Sequence, residues 1–159
     1  DSMSFYLSDG AVSIPRDFDT LVCAGMGADT MVSILEHAKW LQSPAYRLIL
    51  QCQSKTPMLR RYLSNNGWHI SREKVVRDGR FLYTVMEVLF GNGRELTEAQ
   101  TYISPALLAD PAEDTKAYYE QVLFRLRRAV AGQKDQADPK MVQAIQELEE
   151  DPIYKELQK

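Results

Sequence analysis

Along residues 1–93 the hydrophobic positions switch between two periods. A run over residues 20–24, apolar from Leu21 to Ala24, stops at Gly25-Met26-Gly27. From Ala28 onward Met31, Ile34, Leu35, Ala38 and Leu41 recur at helical spacing. That order predicts a buried strand, a tight glycine turn and a helix N-terminus. Ser43-Pro44 ends the helix, and residues 47–51, Arg-Leu-Ile-Leu-Gln, predict a second buried strand. A second helix follows, with Thr56 as its N-cap and Pro57 in its first turn. Met58, Leu59, Tyr62 and Leu63 share one side of it, and Asn65-Asn66-Gly67 stops it. Two strand–helix units in succession predict parallel strands with their loops on one edge of the sheet, where open α/β sheets bind ligands. Residues 68–77 and 80–89 read as strands joined by Asp78-Gly79, a hairpin signal. Antiparallel pairing should therefore finish an otherwise parallel sheet. Upstream, residues 4–7 predict a short strand closed by the turn Ser8-Asp9-Gly10, and residues 11–18 a loop.

The pattern changes at Gly91-Asn92-Gly93, which divides an α/β part, residues 1–93, from a helical part, residues 94–159. Residues 112–131 carry the stripe Tyr119, Val122, Leu123, Leu126 and Val130. Residues 139–150 carry Met141, Ile145 and Leu148, and after Asp151-Pro152 the helix is expected to resume over 153–157. The polar stretch 132–138 reads as the connecting loop. Each long helix needs a partner for its stripe, so the pair should form an antiparallel, coiled-coil-like hairpin.

Composition removes several classes. A hydrophobic content of 45% excludes a disordered chain. No apolar run approaches the roughly 18 residues of a membrane span. Cys23 and Cys52 are the only cysteines and lack metal spacing, so both read as small apolar fillers in a reducing, cytoplasmic setting. His37 and His69 also lack metal partners, and no metal is expected. The net charge of −3 is uneven: residues 1–93 hold 10 Lys/Arg against 9 Asp/Glu, residues 94–159 hold 9 against 13. The α/β part is thus freer to present a basic face. Lys55, Arg60, Arg61, Arg72, Lys74, Arg77 and Arg80 lie near the loop edge and hairpin, and Arg125, Arg127 and Arg128 on the first long helix. Solvated charge is one reading and nucleic-acid phosphate contact the other; Arg125 and Arg128, one turn apart, can share a face. Trp68 follows a capping glycine and reads as core.

Gly25-Met26-Gly27-Ala28-Asp29-Thr30 imitates a dinucleotide-binding glycine loop. The third glycine is missing, however, and the next strand ends in Gln51 where a ribose-binding acid belongs. No phosphate-loop lysine follows. Nicotinamide chemistry is a poor reading.

Ala24-Gly25-Met26-Gly27, Leu48-Ile49-Leu50-Gln51 and Asn66-Gly67-Trp68 occur in that order, followed by a hairpin strand reading Tyr-Thr-Val-Met-Glu-Val. With Asp9-Gly10 upstream, the chain resembles the bacterial tRNA (adenine-22-N1)-methyltransferases over nearly its whole length. The resemblance implies a partial Rossmann-like class I methyltransferase sheet followed by a helical hairpin, S-adenosyl-L-methionine as cofactor and tRNA as partner. Three positions depart from the family: Ala28 stands for a glycine, Gln51-Cys52-Gln53 for Gln-Pro-Asn, and Ile103-Ser104-Pro105 for Phe-Gly-Pro. In the strand order 3-2-1-4-5-7-6 the resemblance makes residues 4–7 strand 3. The strand, glycine loop and acidic residue that open such enzymes do not precede Asp1 here. The chain is therefore expected to correspond to the C-terminal two-thirds of the enzyme, inactive and without cofactor affinity by itself.

Methyl transfer from a sulfonium needs in-line placement of the two reactants and exclusion of water. Adenine N1 offers a free lone pair, so no general base is required, but N1 is on the pairing edge and the base must be unpaired. By resemblance, Gly25, Met26 and Gly27 form the floor of the active site, with Gln51 and Gln53 beside them. Asp9, Gly10, Ala24 and Gly25 face the cofactor. Lys55, Arg60, Arg61, Arg125 and Arg128 bind RNA. Read without the resemblance, Asp9-Gly10 is a plain turn and the glutamines are solvated loop residues. The competing functional readings are a non-catalytic RNA-binding or scaffold protein with a decayed sheet, and a methyltransferase with another substrate.

Overall fold

The computed structural model describes residues 3–133 and 136–159. Its α/β part runs β1 (Thr20–Gly27), α1 (Ala28–His37), β2 (Arg47–Ser54), α2 (Thr56–Asn65), β3 (Trp68–Asp78) and β4 (Phe81–Phe90). The sheet order is β1-β2-β4-β3. β1 and β2 are parallel, and β4 is antiparallel to both its neighbours. This is the 4-5-7-6 half of the strand order that the resemblance implies. β3 consequently runs parallel to β2, so the carboxyl ends of β1, β2 and β3 and the Asp78-Gly79 turn share one edge. The parallel pair and the terminal hairpin are as the hydrophobic pattern predicts.

Alternation sets the faces. Leu48, Leu50 and Cys52 of β2 and Met86 and Val88 of β4 are buried with Met31 and Leu35 of α1 and Leu59 and Leu63 of α2. Trp68 joins this core, edge-on to Phe90 at 5.1 Å. Ala38 and Leu41 are fully buried but lie past the end of α1, in its cap and a 3₁₀ turn at Lys39–Leu41. Val22, on the other face of edge strand β1, is 64% exposed.

Two elements differ from the sequence reading. Residues 4–7 form no strand; Phe5 is 86% exposed. A β-prone segment becomes a strand only when a neighbouring strand takes up its N–H and C=O groups, and among the described residues none lies beside this one. The strand predicted over 20–24 continues through the glycines to Gly27. The expected tight turn is a register irregularity within β1: Ala24 pairs with Gln51, Met26 with Cys52, and Gly25 has no partner residue.

Beyond β4, two short helices precede the long ones: α3 (Glu98–Tyr102) and α4 (Pro105–Ala109). Thr97 opens α3 with a capping box to Gln100, a signal present in the sequence as Thr-x-x-Gln. The predicted long helices are α5 (Thr115–Gln133) and α6 (Pro139–Glu150), with α7 (Pro152–Leu157) after the Asp151-Pro152 break. The loop predicted over 132–138 includes residues 134–135, which lie outside the described residues. Tyr119 of α5 donates its hydroxyl to the Leu148 carbonyl at 3.0 Å and stacks on Tyr154 at 4.3 Å. The α5 stripe is not buried by α6 alone. Ile103, Leu107 and Val75 of β3 share the same core.

Candidate functional site

The unpaired residue in β1 is the centre of the site. Gly25 sits at φ +76, the left-handed region that favours glycine, and nothing lies within 4 Å of where a Cβ would be. The bulge takes its N–H out of the ladder. The side chain of Gln51 replaces the missing acceptor: Gly25 N–H donates to Gln51 Oε1 at 2.8 Å. Gln53 Nε2 donates to the same oxygen at 3.3 Å. Gln51 and Gln53 are two apart on β2, hence on one face, and the parallel register delivers them beside Gly25. The structure thus brings Gly25, Gln51 and Gln53 into one hydrogen-bonded cluster at the carboxyl edge.

Gly27 is the N-cap of α1 in extended geometry, with no side-chain cap; a Cβ there would meet Ser54 Oγ at 2.9 Å. Met26 is half-buried against the main core, Ala24 is exposed and Ala28 is fully buried. The second strand–helix junction is tied to the first by Lys55, which pairs with Asp29 at 2.8 Å. The Lys55 hydrogen bond holds the Asp29 carboxyl below the usual carboxylate range. Burial pushes the Cys52 thiol up.

Asp9 and Gly10 form an exposed turn at which a Gly10 Cβ would strike Ile34 of α1 at 2.9 Å. Among the described residues no hydrogen bond joins Asp9 or Gly10 to Gly25, Gln51 or Gln53.

The basic residues divide sharply. Arg60 cannot contact RNA: its side chain is 0% exposed. It donates to Glu73 at 2.5 and 3.3 Å and to the carbonyls of Thr101 and Tyr102 at 2.9 and 2.7 Å. Burial opposes the Arg60 charge. The carboxylate of Glu73, with the Tyr118 hydroxyl, outweighs it and raises the pKa above its ordinary value. Helical spacing put Arg60 beside Leu59 and Leu63, on the inner side of α2, and its carboxylate partner is on β3. Arg61 is exposed but held by Glu98 at 2.6 Å; Lys74, Arg77 and Arg127 are paired with Asp110, Asp114 and Glu149. Among the described residues, Arg125 and Arg128 have no carboxylate partner, and Arg128 lies over the Phe124 ring. Both are exposed. The histidines are structural. His69 bonds the Gly91 carbonyl and His37 the Ser33 carbonyl.

Beside Gln53 a cleft of about 520 Å³ opens between the end of β2, the start of β4, the N-terminus of α2 and α5. Lys55, Thr84, Tyr102 and Arg125 line it. Thr84 is brought to the end of β2 by the β2–β4 register, in which Gln51 pairs with Val85, and Tyr102 by the placement of α3, so the pattern of either element alone does not mark them. Among the described residues no cluster of three or more His, Cys, Asp or Glu could hold a metal. Among the described residues no helix is long and apolar enough to cross a membrane.

The chain is similar to a Mycoplasma pneumoniae protein named as a candidate tRNA methyltransferase, 34% identical over 113 residues, covering 67% of this chain and 51% of that protein. It therefore spans about half the length of that curated relative. A Streptococcus pneumoniae structure, a candidate tRNA (m1A22) methyltransferase in complex with S-adenosyl-L-methionine, superposes with a TM-score of 0.73 at 22% identity, covering 90% of this chain and 66% of that one. An M. capricolum structure in complex with S-adenosyl-homocysteine gives a TM-score of 0.63 at 16% identity over 96% of this chain and 67% of that one. At these identities the structures speak to the fold. The family model for tRNA (adenine(22)-N(1))-methyltransferase matches residues 1–151. With the predicted half-sheet in place and its bulged glycine held by Gln51, the chain belongs to that family.

Proposed function

We propose that the protein to which this chain contributes methylates N1 of an adenine in tRNA, in the cytoplasm, with S-adenosyl-L-methionine as donor. The observation that carries this reading is the Gly25–Gln51–Gln53 cluster at the carboxyl edge. The open space over Gly25 fits the cofactor, since backbone without a side chain permits close approach. Gly25 and Ala24 would hold it from one side and the Asp9-Gly10 turn from the other. When bound, the cofactor supplies an electrophilic methyl group.

In this reading the chain's own residues orient and shield. Gly25, Met26 and Gly27 form the floor under the base. Gln51 is a positioning residue: its amide oxygen is spent on Gly25 and Gln53. Gln53 Oε1 has no hydrogen-bond partner among the described residues, and it is the acceptor offered to the adenine N6 amino group. The same amide dipole favours the positive charge that the base acquires, without any proton transfer from N1. Arg125 and Arg128 supply phosphate contacts, with Lys55 and Arg61 at the margin. The sheet-bearing residues 1–93 carry the chemistry, and residues 94–159 grip the tRNA.

The test is a methylation assay of the full-length enzyme on unmodified tRNA, with nucleoside analysis of the product. N1-methyladenosine is expected, with a loss of at least about tenfold in kcat/KM for Gln53→Ala, the cost of one charge-stabilising contact. Absence of the modified nucleoside with a folded full-length enzyme would refute the reading.

A further inference from the structure

The cleft beside Gln53 holds more chemistry than one methylated base needs. Thr84 is 2% exposed, lines the cleft, and its hydroxyl has no hydrogen-bond partner among the described residues. A buried hydroxyl in this state is unfavourable unless a bound group completes it. At the same cleft α2 begins without a side-chain cap, and its first residues, Thr56 and Pro57, line the wall. Arg125, without a carboxylate partner among the described residues, stands at the lip. Tyr102 and Val122 supply apolar wall, and burial raises the Tyr102 hydroxyl pKa, keeping it neutral. A volume of about 520 Å³ falls in the span of small-ligand sites, about 300–1,000 Å³.

We propose that this cleft is a second RNA subsite, which takes one unstacked nucleotide of the substrate strand next to the methylated adenosine. Its phosphate meets Arg125 and the uncapped start of α2. Its base enters the trough between Tyr102 and Val122, and one polar edge of it completes the Thr84 hydroxyl. An apolar slot, a cation and a few buried polar groups are what single-stranded RNA recognition uses. The subsite rests on the tRNA reading given above and names the residues that would select around the target.

The test uses the full-length enzyme with unmodified tRNA, comparing the parent with Thr84→Val, which keeps the shape and removes the hydroxyl, and with Arg125→Gln. The KM for tRNA is expected to rise about fivefold for Thr84→Val and about tenfold for Arg125→Gln, whose dependence of KM on salt should also lose about one unit of slope. The loss should be confined to KM, with S-adenosyl-L-methionine affinity by calorimetry as in the parent. Parental KM and salt slope in both variants would overturn the subsite, as would a loss of cofactor affinity matching the loss in KM. Thermal melts of both variants guard against misfolding. If Thr84→Val fails to fold, Arg125→Gln and Gln121→Trp, which fills the trough from the half-buried Gln121 position of α5, decide the matter by the same readouts. A parent enzyme that leaves tRNA unmethylated would sink the functional reading itself; a methylating parent with unaffected variants would sink only the subsite.

Discussion

Replacing Arg60 by methionine should be among the most damaging single changes in the chain. The guanidinium is fully buried and satisfies both oxygens of Glu73 and the carbonyls of Thr101 and Tyr102. Arg60→Met fills most of the volume but leaves a carboxylate in the core, helped among the described residues by Ser104 Oγ, which also donates to it. An uncompensated buried charge of this kind costs about 3–5 kcal/mol, set against a total stability of about 5–15 kcal/mol. For a protein of this size the melting temperature should fall by about 6–20 °C. The double variant Arg60→Met/Glu73→Met removes the orphaned charge and should recover most of the loss, because a buried pair is worth little against well-packed apolar side chains. Urea unfolding of the full-length parent, both single variants and the double variant closes the cycle. The expected coupling is at least about 2 kcal/mol. A single-variant cost under about 1 kcal/mol, or a double variant whose cost equals the sum of the two, would refute the reasoning.

Two further outcomes follow from the same geometry. Gly25→Ala forces a side chain into φ +76 with no clash to relieve, so its cost of about 1–2 kcal/mol is purely conformational; Gly27→Ala only displaces the hydroxyl of Ser54 and should cost under about 1 kcal/mol. Thermal melts that reverse this order would show the bulge to be misassigned. Burial raises both the Cys23 and Cys52 thiols. At pH 8 the reactive thiolate fraction is therefore below that of a free cysteine, and native protein should be alkylated slowly, faster as pH rises, and completely only in denaturant. Rapid alkylation of the native protein at pH 8 would contradict the buried placement.

Local patterns in the sequence were enough for most of the sheet. The glycine-terminated apolar run, the second apolar run and Asp78-Gly79 are short-range signals, and each set an element without help from distant residues. They also located Gly25, Gln51 and Gln53 together, since parallel pairing of two strand–helix units leaves little choice of edge. The strand expected over residues 4–7 failed because a strand's hydrogen bonds come from a neighbour, which no local pattern supplies. The glycine bend has the sequence of a turn, because a bulge is a property of two strands in register.

The fate of each basic residue was likewise out of reach of the sequence. Arg60 and Arg61 are adjacent, yet one is sealed in the core against Glu73 and the other is exposed with Glu98. Helical periodicity distinguishes their faces, but the partner that makes an inward arginine tolerable is thirteen residues away on another element. The cleft beside Gln53, with Thr84 and Tyr102 in its walls, gathers residues of β2, α2, β4, α3, α5 and α6, so it depends on how the helices pack on the sheet. Periodicity of side chains determined which elements form. Long-range packing and the pairing of buried charge decided which polar groups are left to meet a ligand.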